Sequence, residues 1–256
     1  MHETSPLIYE HAYDIRSYEP RTDGLVPITT ICDQLQDVAS RHADSLGFGF
    51  KDLRTTGHFW MLVRLYLLMD RLPAFGETCR VQTWPSGNER LVAGRDFLVH
   101  DEKGCIGRAT SHWVAVDLET HKACPPGEVL DNRYIPDAER ALLMPSGAVP
   151  RLREGTDETI ITARRSDQDI NNHVNNVRYG EFCFEAVPEH WLEHHRCMGL
   201  EIQFKNEAHA GDSFVSSCAA SGEEEGGQIM QHALRRQDDN REIVRMRSLW
   251  QDIRHP

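Results

Sequence analysis

Apolar residues recur along the chain with two different periods. A spacing of three to four residues, as in Ile31, Leu35 and Val38 and again in Val177 and Phe182, predicts two helices. Alternation and β-branched residues predict strands at 80–83, 91–100 and 108–117, and short strands precede the helices at 11–16 and 158–165. The largely apolar segment 59–69 predicts a strand that is buried on both faces.

The chain repeats itself at an interval near 135 residues. Segment 70–78 aligns with 205–213, Gly76 falling on Gly211, and segment 108–113 aligns with 245–250 at an offset of 137. Solenoid repeats have periods of only about 20–50 residues, so this interval indicates a duplicated domain. We expect one domain at 1–124, a Pro- and Gly-rich linker at 125–157 and a second domain at 158–256, each of α+β class with a helix against an antiparallel sheet.

Composition narrows the classes of function. The 256 residues include 40 acids and 28 bases, and the net charge of −12 argues against binding to nucleic acid. Charges interrupt every apolar run well before the ~18 residues of a membrane span. The first ten residues lack the charged and apolar regions of a signal peptide. We expect a cytoplasmic protein that binds neither nucleic acid nor membranes.

The usual cofactor and metal motifs are absent from the sequence. Seven scattered cysteines without C-x-x-C spacing predict reduced, mostly buried thiols. His190, His194 and His195 lack an accompanying H-E-x-x-H or Cys motif, which favours solvated surface histidines. A calcium loop starting at Asp167 fails because Asn172 replaces the required glycine. The sequence also has no G-x-S-x-G, P-loop or G-x-G-x-x-G, and we expect neither cofactor nor metal.

The densest polar cluster lies just before the second predicted helix. Asp169, Asn171 and His173 are two residues apart, so an extended backbone would place them on one face. Free N–H groups at the helix N-terminus, around 174–176, would face the same place and suit a developing oxyanion. Helix capping by Asn171 or Asn172 is the structural alternative.

The first half of the chain does not repeat this polar cluster. At an offset of 144, which aligns Asp23 with Asp167, the positions of the three polar residues are occupied by Leu25, Pro27 and Thr29. The duplicated fold therefore does not require the polar trio. This difference favours a functional site in the second half only.

The string D-x-N-x-H-V-N-N-V-x-Y at 169–179, with the duplication and the tryptophans, closely resembles the acyl–acyl-carrier-protein (acyl-ACP) thioesterase family of plants and bacteria. The resemblance extends over roughly residues 8–253 and includes the segments DR at 70–71, TW at 83–84 and RDFLV at 95–99. It implies a double hotdog fold, in which each of two tandem domains wraps a curved antiparallel sheet around a long helix. It also implies that the first domain accommodates the acyl chain and the second carries catalysis.

The resemblance implies a thiolester hydrolase without a cofactor. Its substrate would be a fatty acyl chain joined to the phosphopantetheine arm of acyl carrier protein (ACP), and its products free fatty acid and holo-ACP, which ends fatty acid synthesis. It adds Glu207 as a fourth catalytic residue beside Asp169, Asn171 and His173, and the counterpart of Glu207 in the first half is Leu72. From the residues alone, Glu207 could equally be an ordinary exposed acid at a strand end.

We expect these residues to activate water. Glu207, together with His173, is the expected general base, while Asn171 orients the water or the thioester carbonyl. Asp169 either fixes neighbouring groups by hydrogen bonds or competes for the role of base. The assignment of the base among these groups stays open.

A cysteine nucleophile is not expected. Ala208 stands where the family often has Cys, and Cys183 in the second helix is predicted to be packed rather than reactive. The helix of the first half and the strand at 59–69 are the expected lining of the acyl tunnel, with plain core packing as the alternative.

The carrier and the assembly are less determined. Because the chain is acidic, docking of acidic ACP requires a local basic surface, for which the candidates are Arg151, Arg153, Arg164 and Arg165. Surface salt bridges are the alternative role of these arginines. An acyl-CoA thioesterase of the same fold and a non-catalytic acyl-binding protein stay open as functions, and so do homodimer formation and the preferred acyl chain.

Overall fold

The computed structural model describes residues 7–224 and 226–253. The outer ends of the two predicted domains, at 1–6 and 254–256, lie outside the described residues, as does most of the segment in which no signal peptide is predicted. The chain divides into two compact units, Met1–Pro145 and Ser146–Pro256. Within the described ranges, no helix has the length and apolar character needed to cross a membrane.

The first unit packs one long helix against an antiparallel sheet. Its helices are α1 (Ile28–Leu46) and α2 (Phe50–Thr55), and its strands are β1 (Tyr9–Asp14), β2 (His58–Met69), β3 (Thr78–Glu89), β4 (Val92–His100), β5 (Cys105–Asp117) and β6 (Ala123–Cys124). The strand order is β1-β3-β4-β5-β2, and β6 pairs with β5. The predicted apolar face of α1 is buried against β3 and β1, and the helix ends where Gly47 adopts a left-handed φ of 78°.

The second unit repeats this plan. Its helices are α3 (Asn176–Phe184) and α4 (Glu189–Leu192), and its strands are β7 (Asp157–Thr162), β8 (His195–Phe204), β9 (Ser213–Glu224), β10 (Gly227–Arg236) and β11 (Glu242–Asp252). The strand order is β8-β11-β10-β9-β7, and α3 packs on the three strands β9, β10 and β11. Two tandem units, each with a helix on an antiparallel sheet, confirm the predicted α+β double hotdog fold.

Side-chain hydrogen bonds repeat with the fold. Trp113 donates its indole N–H to the Ser111 hydroxyl over 2.8 Å. Trp250 donates in the same way to Ser248 over 2.6 Å. The two pairs lie at the predicted offset of 137 residues, so the alignment is confirmed in this region.

Strand β2 differs from its prediction. Its burial alternates toward the C-terminal end, where Leu65, Leu67 and Met69 are buried and the residues between them are half-buried, and Met61 is exposed. The expectation of burial on both faces is wrong, because only alternate side chains of an antiparallel strand face the core.

The Pro-rich segment at 125–157 is anchored along its length. It contains two short 3-10 turns, Pro126–Glu128 and Asn132–Tyr134. Leu130 is buried in the first unit, and Val149 and Leu152 are buried in the second. The boundary between the two units, after Pro145, falls inside this segment.

Candidate active site

The polar cluster of the second unit is carried by a tight turn. A bridge between Gln168 and Val174 closes the turn. Inside it, the Asp169 amide donates to the His173 carbonyl over 2.8 Å and the Asn172 amide donates to the Asp169 carbonyl over 3.1 Å. Asn172 has a left-handed φ of 63°, so the prediction of an extended backbone is wrong here.

Asp169 and Asn171 are hydrogen-bonded to each other within this turn. The Asp169 carboxylate accepts the Asn171 amide over 2.8 Å and the His173 amide over 3.4 Å. The Asn171 side-chain Nδ2 lies 3.4 Å from Asp169 Oδ2. Asp169 therefore shapes the turn and orients the amide side chain of Asn171, which is exposed.

The turn brings His173 to Glu207. His173 Nε2 lies 3.0 Å from Glu207 Oε2, and the two side chains are 36% and 55% exposed, so water reaches both. Glu207 lies in the loop after β8, and this loop is joined to the turn because the Val174 amide donates to the Ala208 carbonyl over 2.8 Å. Arg236 donates to the Glu207 carbonyl over 2.8 Å. The structure thus brings all four residues singled out by the sequence into one turn and the loop bound to it.

The first unit contains the same turn with different side chains. The Arg21 amide donates to the Leu25 carbonyl over 2.9 Å, the Gly24 amide donates to Arg21, and Gly24 has a φ of 81°. The Val26 amide donates to the Pro73 carbonyl over 2.9 Å, as Val174 does to Ala208. These bonds repeat at an offset of 148, from Arg21 to Asp169, which also relates the starts of β1 and β7.

The offset of 144 derived from the sequence is therefore wrong by four residues. With the offset of 148, the counterparts of the four site residues are Arg21, Asp23, Leu25 and Leu72. The half-exposed His–Glu pair thus corresponds to Leu25, which is half-buried, and Leu72, which is buried. The asymmetry between the halves persists, and it is sharpest at His173 and Glu207.

Most amides at the start of α3 already have acceptors. Val174 donates to Ala208, Asn175 donates to the Asp167 carbonyl over 2.8 Å, and Val177 donates to the Asn175 side chain over 2.9 Å. The expectation that amides around 174–176 receive an oxyanion is therefore wrong for Val174 and Asn175. The Asn176 N–H, in the first turn of the helix, has no intrahelical acceptor. The helix cap is Asn175 and not Asn171 or Asn172.

His209 is a residue of this site that the sequence did not single out. Its ring lies edge-on to the His173 ring with a centroid distance of 5.0 Å. Its Nδ1 lies 2.9 Å from the Asn172 carbonyl, which joins the turn to the Glu207 loop a second time. The only signal in the sequence is the spacing of two residues between Glu207 and His209.

The thiols behave as predicted. All seven cysteines are free, and five of them are buried. Cys183 is fully buried in α3, and burial raises the pKa of its thiol far above the ordinary value, which removes it as a nucleophile. Ala208 is also fully buried.

The histidines near α4 are only partly solvated. His190 is exposed, and its carbonyl lies 2.8 Å from His194 Nδ1. His195 is half-buried and stacks on Trp191 with a centroid distance of 4.2 Å. The expectation of solvated surface histidines is wrong for His195, because its ring packs on an aromatic neighbour.

Comparison with known proteins gives the same assignment for both units. Residues 6–132 match the acyl-ACP thioesterase N-terminal domain and residues 151–252 match the acyl-ACP thioesterase C-terminal domain. The chain is 31% identical to a chloroplastic palmitoyl-acyl carrier protein thioesterase of Gossypium hirsutum, covering 95% of this chain and 64% of that protein. It is 27% identical to the chloroplastic oleoyl-acyl carrier protein thioesterase 1 of Arabidopsis thaliana, covering 95% of this chain and 76% of that protein.

A solved structure agrees over nearly the full length. The crystal structure of an acyl-ACP thioesterase from Bacteroides thetaiotaomicron superimposes with a TM-score of 0.85 at 26% identity, covering 96% of this chain and 98% of that one. The chain spans less than two thirds of the Gossypium protein, 64% of its length. With both domains matched and the fold shared, the chain belongs to the acyl-ACP thioesterase family.

Proposed function

We propose that this protein hydrolyses fatty acyl-ACP thioesters and releases free fatty acid and holo-ACP. The observation that carries the proposal is the contact of 3.0 Å between His173 Nε2 and Glu207 Oε2, on a turn whose copy in the first unit has leucine at both positions. A carboxylate and an imidazole in contact, both reached by water, supply the general base that hydrolysis needs.

Glu207 activates the attacking water. His173 donates its Nε2–H to one carboxylate oxygen of Glu207, which leaves the other oxygen to take a proton from water. The hydroxide oxygen bonds to the thioester carbonyl carbon, the C–S bond breaks, and the same proton passes from Glu207 to the departing sulfur of phosphopantetheine. Because no acyl-enzyme forms, no nucleophilic cysteine is required.

The remaining site residues position the reacting groups. Asp169 fixes the side-chain amide of Asn171, which orients the water or the thioester carbonyl. The Asn176 N–H, at the positive end of the α3 dipole, is the amide that we assign to the developing oxyanion.

The test is thiol release from a panel of acyl-ACP esters. Glu207→Gln should lose about 10²–10⁴-fold in kcat, the usual contribution of a general base. Glu185→Gln, an exposed acid at the end of α3, is the matched control and should keep the wild-type rate. Near-normal turnover by Glu207→Gln would refute the role of Glu207.

The same panel with coenzyme A esters decides the carrier. Faster hydrolysis of the coenzyme A esters would move the protein to the acyl-CoA thioesterases, and tight binding without hydrolysis of either ester would leave an acyl-binding protein. For ACP docking we propose the exposed Arg153, Arg164 and Arg165. Arg151 is a weaker candidate because it lies 3.7 Å from Glu242.

We also propose the division of labour that the sequence suggests. The domain at 1–124 holds the acyl chain between α1 and β2, the segment 125–157 links the domains, and the domain at 158–256 performs catalysis. Exchange of large and small side chains along β2 should shift the length of the released acid. The cytoplasm stays a prediction, since both named relatives carry chloroplastic in their names, and homodimer formation stays open.

A further inference from the structure

Three side chains of the first unit bring metal-ligating atoms together beside β5. His58 is the first residue of β2, Cys124 is the last residue of β6, and Glu128 ends the 3-10 turn that follows. A ring nitrogen of His58, the Cys124 sulfur and a Glu128 carboxylate oxygen all lie within 4.8 Å of one another.

The sheet fixes two of these residues on either side of β5. His58 pairs with Asp117 of β5, and Cys124 pairs with Ala115 of the same strand. Their side chains therefore depend on a rigid scaffold and not on a mobile loop. Because His58 precedes Cys124 by 66 residues, no local motif in the sequence indicates this cluster.

The ligand types fit a borderline divalent cation. Imidazole nitrogen, thiolate sulfur and carboxylate oxygen are the three protein ligands that Zn²⁺ uses, at about 2.0–2.3 Å in tetrahedral geometry. Three ligands leave a fourth position for water. Ca²⁺ and Mg²⁺ prefer all-oxygen sites, so a set with nitrogen and sulfur disfavours them.

Outer groups support the three ligands. The Thr56 hydroxyl lies 3.3 Å from His58 Nδ1 and can hold the ring orientation. The Asp117 carboxylate interacts electrostatically with both His58 and Cys124, and is itself held by the Thr120 amide over 2.7 Å. Such outer partners orient ligands in established metal sites, and the extra negative charge favours a cation.

We propose that His58, Cys124 and Glu128 bind one Zn²⁺-class ion in the first unit. The ion ties the start of the Pro-rich segment to β2. Just beyond the cluster, Leu130 is buried with Leu46, Phe48 and Leu53 of the hydrophobic core. The cation therefore fastens the chain immediately before it covers this end of the core, which is a structural role separate from thioester hydrolysis.

The proposal is tested by metal binding to the untagged, chelator-treated protein. Equilibrium dialysis with Zn²⁺ should give one tightly bound ion per chain, and Co²⁺ should produce a thiolate-to-metal charge-transfer band. Cys124→Ser and His58→Gln should each lose the band and weaken binding by at least about tenfold, the lower end of what removing an outer partner alone costs.

Matched variants separate this cluster from adventitious binding. Cys105→Ser removes the other half-buried thiol of the chain, and His121→Gln removes an exposed histidine of the β5–β6 hairpin. Both should keep the band and the stoichiometry. Zn²⁺ should also raise the melting temperature of the wild type and of both control variants, but not of Cys124→Ser.

Three results would overturn the proposal. One is the absence of stoichiometric binding by the wild type. Another is an unchanged Co²⁺ band in Cys124→Ser, and the third is equal loss in Cys105→Ser. Protection of Cys124 from alkylation by bound Zn²⁺, mapped by mass spectrometry, identifies the ligand even where a variant folds poorly.

Discussion

Replacing the His–Glu pair by its counterparts from the first unit should separate catalysis from folding. The double variant His173→Leu/Glu207→Leu carries the residue type found at Leu25 and Leu72 on an otherwise equivalent turn. The turn is closed by backbone hydrogen bonds in both units. We therefore expect the variant to fold and to be inactive.

The magnitude follows from the exposure of the pair. The side chains of His173 and Glu207 are 36% and 55% exposed, and an ion pair in such surroundings contributes about 0–1 kcal/mol to stability. The free energy of unfolding should therefore change by no more than about 1 kcal/mol. The loss of the general base should lower kcat by about 10²–10⁴-fold.

The assays are urea unfolding and thiol release from acyl-ACP. Arg41→Ala, which removes a similarly exposed pair with Asp37 from α1, is the control and should keep both stability and rate. A variant that loses several kcal/mol would show that the pair holds the turn together. A folded variant with wild-type turnover would refute the catalytic assignment.

Three further predictions concern stability. Arg140→Ala removes the guanidinium from the fully buried Asp96 carboxylate and should cost about 2–3 kcal/mol in urea unfolding, below the ~3–5 for a fully buried pair because Arg140 is partly exposed; Arg133→Ala, on the surface, should cost less than about 0.5, and equal losses would contradict the reasoning. Burial lowers the pKa of His232 to about 4, so the unfolded chain takes up a proton between pH 6.5 and 4 that the native protein excludes; the free energy of unfolding should fall by roughly 3 kcal/mol across that window, and an equally steep fall in His232→Gln would exclude this cause. Asn175→Ala removes the cap of α3 and should cost about 1 kcal/mol, read as faster hydrogen exchange of the first α3 amides, whereas Asn175→Asp should restore protection; unchanged exchange in Asn175→Ala would contradict the capping role.

The fold could be predicted because its signals are periodic. The apolar spacing that predicts α1 corresponds to a face that is buried from Ile31 to Val38, and the tryptophan segments align at the offset that the hydrogen bonds of Trp113 and Trp250 confirm. Burial of β2 on both faces could not be predicted correctly, since an apolar run alone does not tell how many faces of a strand are covered.

The turn could not be aligned from the sequence because its shape depends on backbone conformation. The sequence aligns Asp23 with Asp167 because the letters agree, whereas the structure aligns Gly24 with Asn172 because both residues adopt left-handed φ. Gly and Asn tolerate that region for different reasons, so no shared letter marks it. The amides that remain free at α3 were equally hidden, because their acceptors come from Ala208 and Asp167.

Comparison of the two turns also ranks the four candidate residues. Asp169 corresponds to Arg21, so the turn forms without a carboxylate at that position. Asn171 corresponds to Asp23, which accepts the Leu25 amide over 3.1 Å and thus has a local structural role of its own. Only His173 and Glu207 have apolar counterparts, so they are the positions where the two units differ most in chemistry on the same backbone. Since backbone bonds hold that backbone in both units, the pair is pre-positioned by the fold, and the catalytic difference between the units reduces chiefly to two side chains.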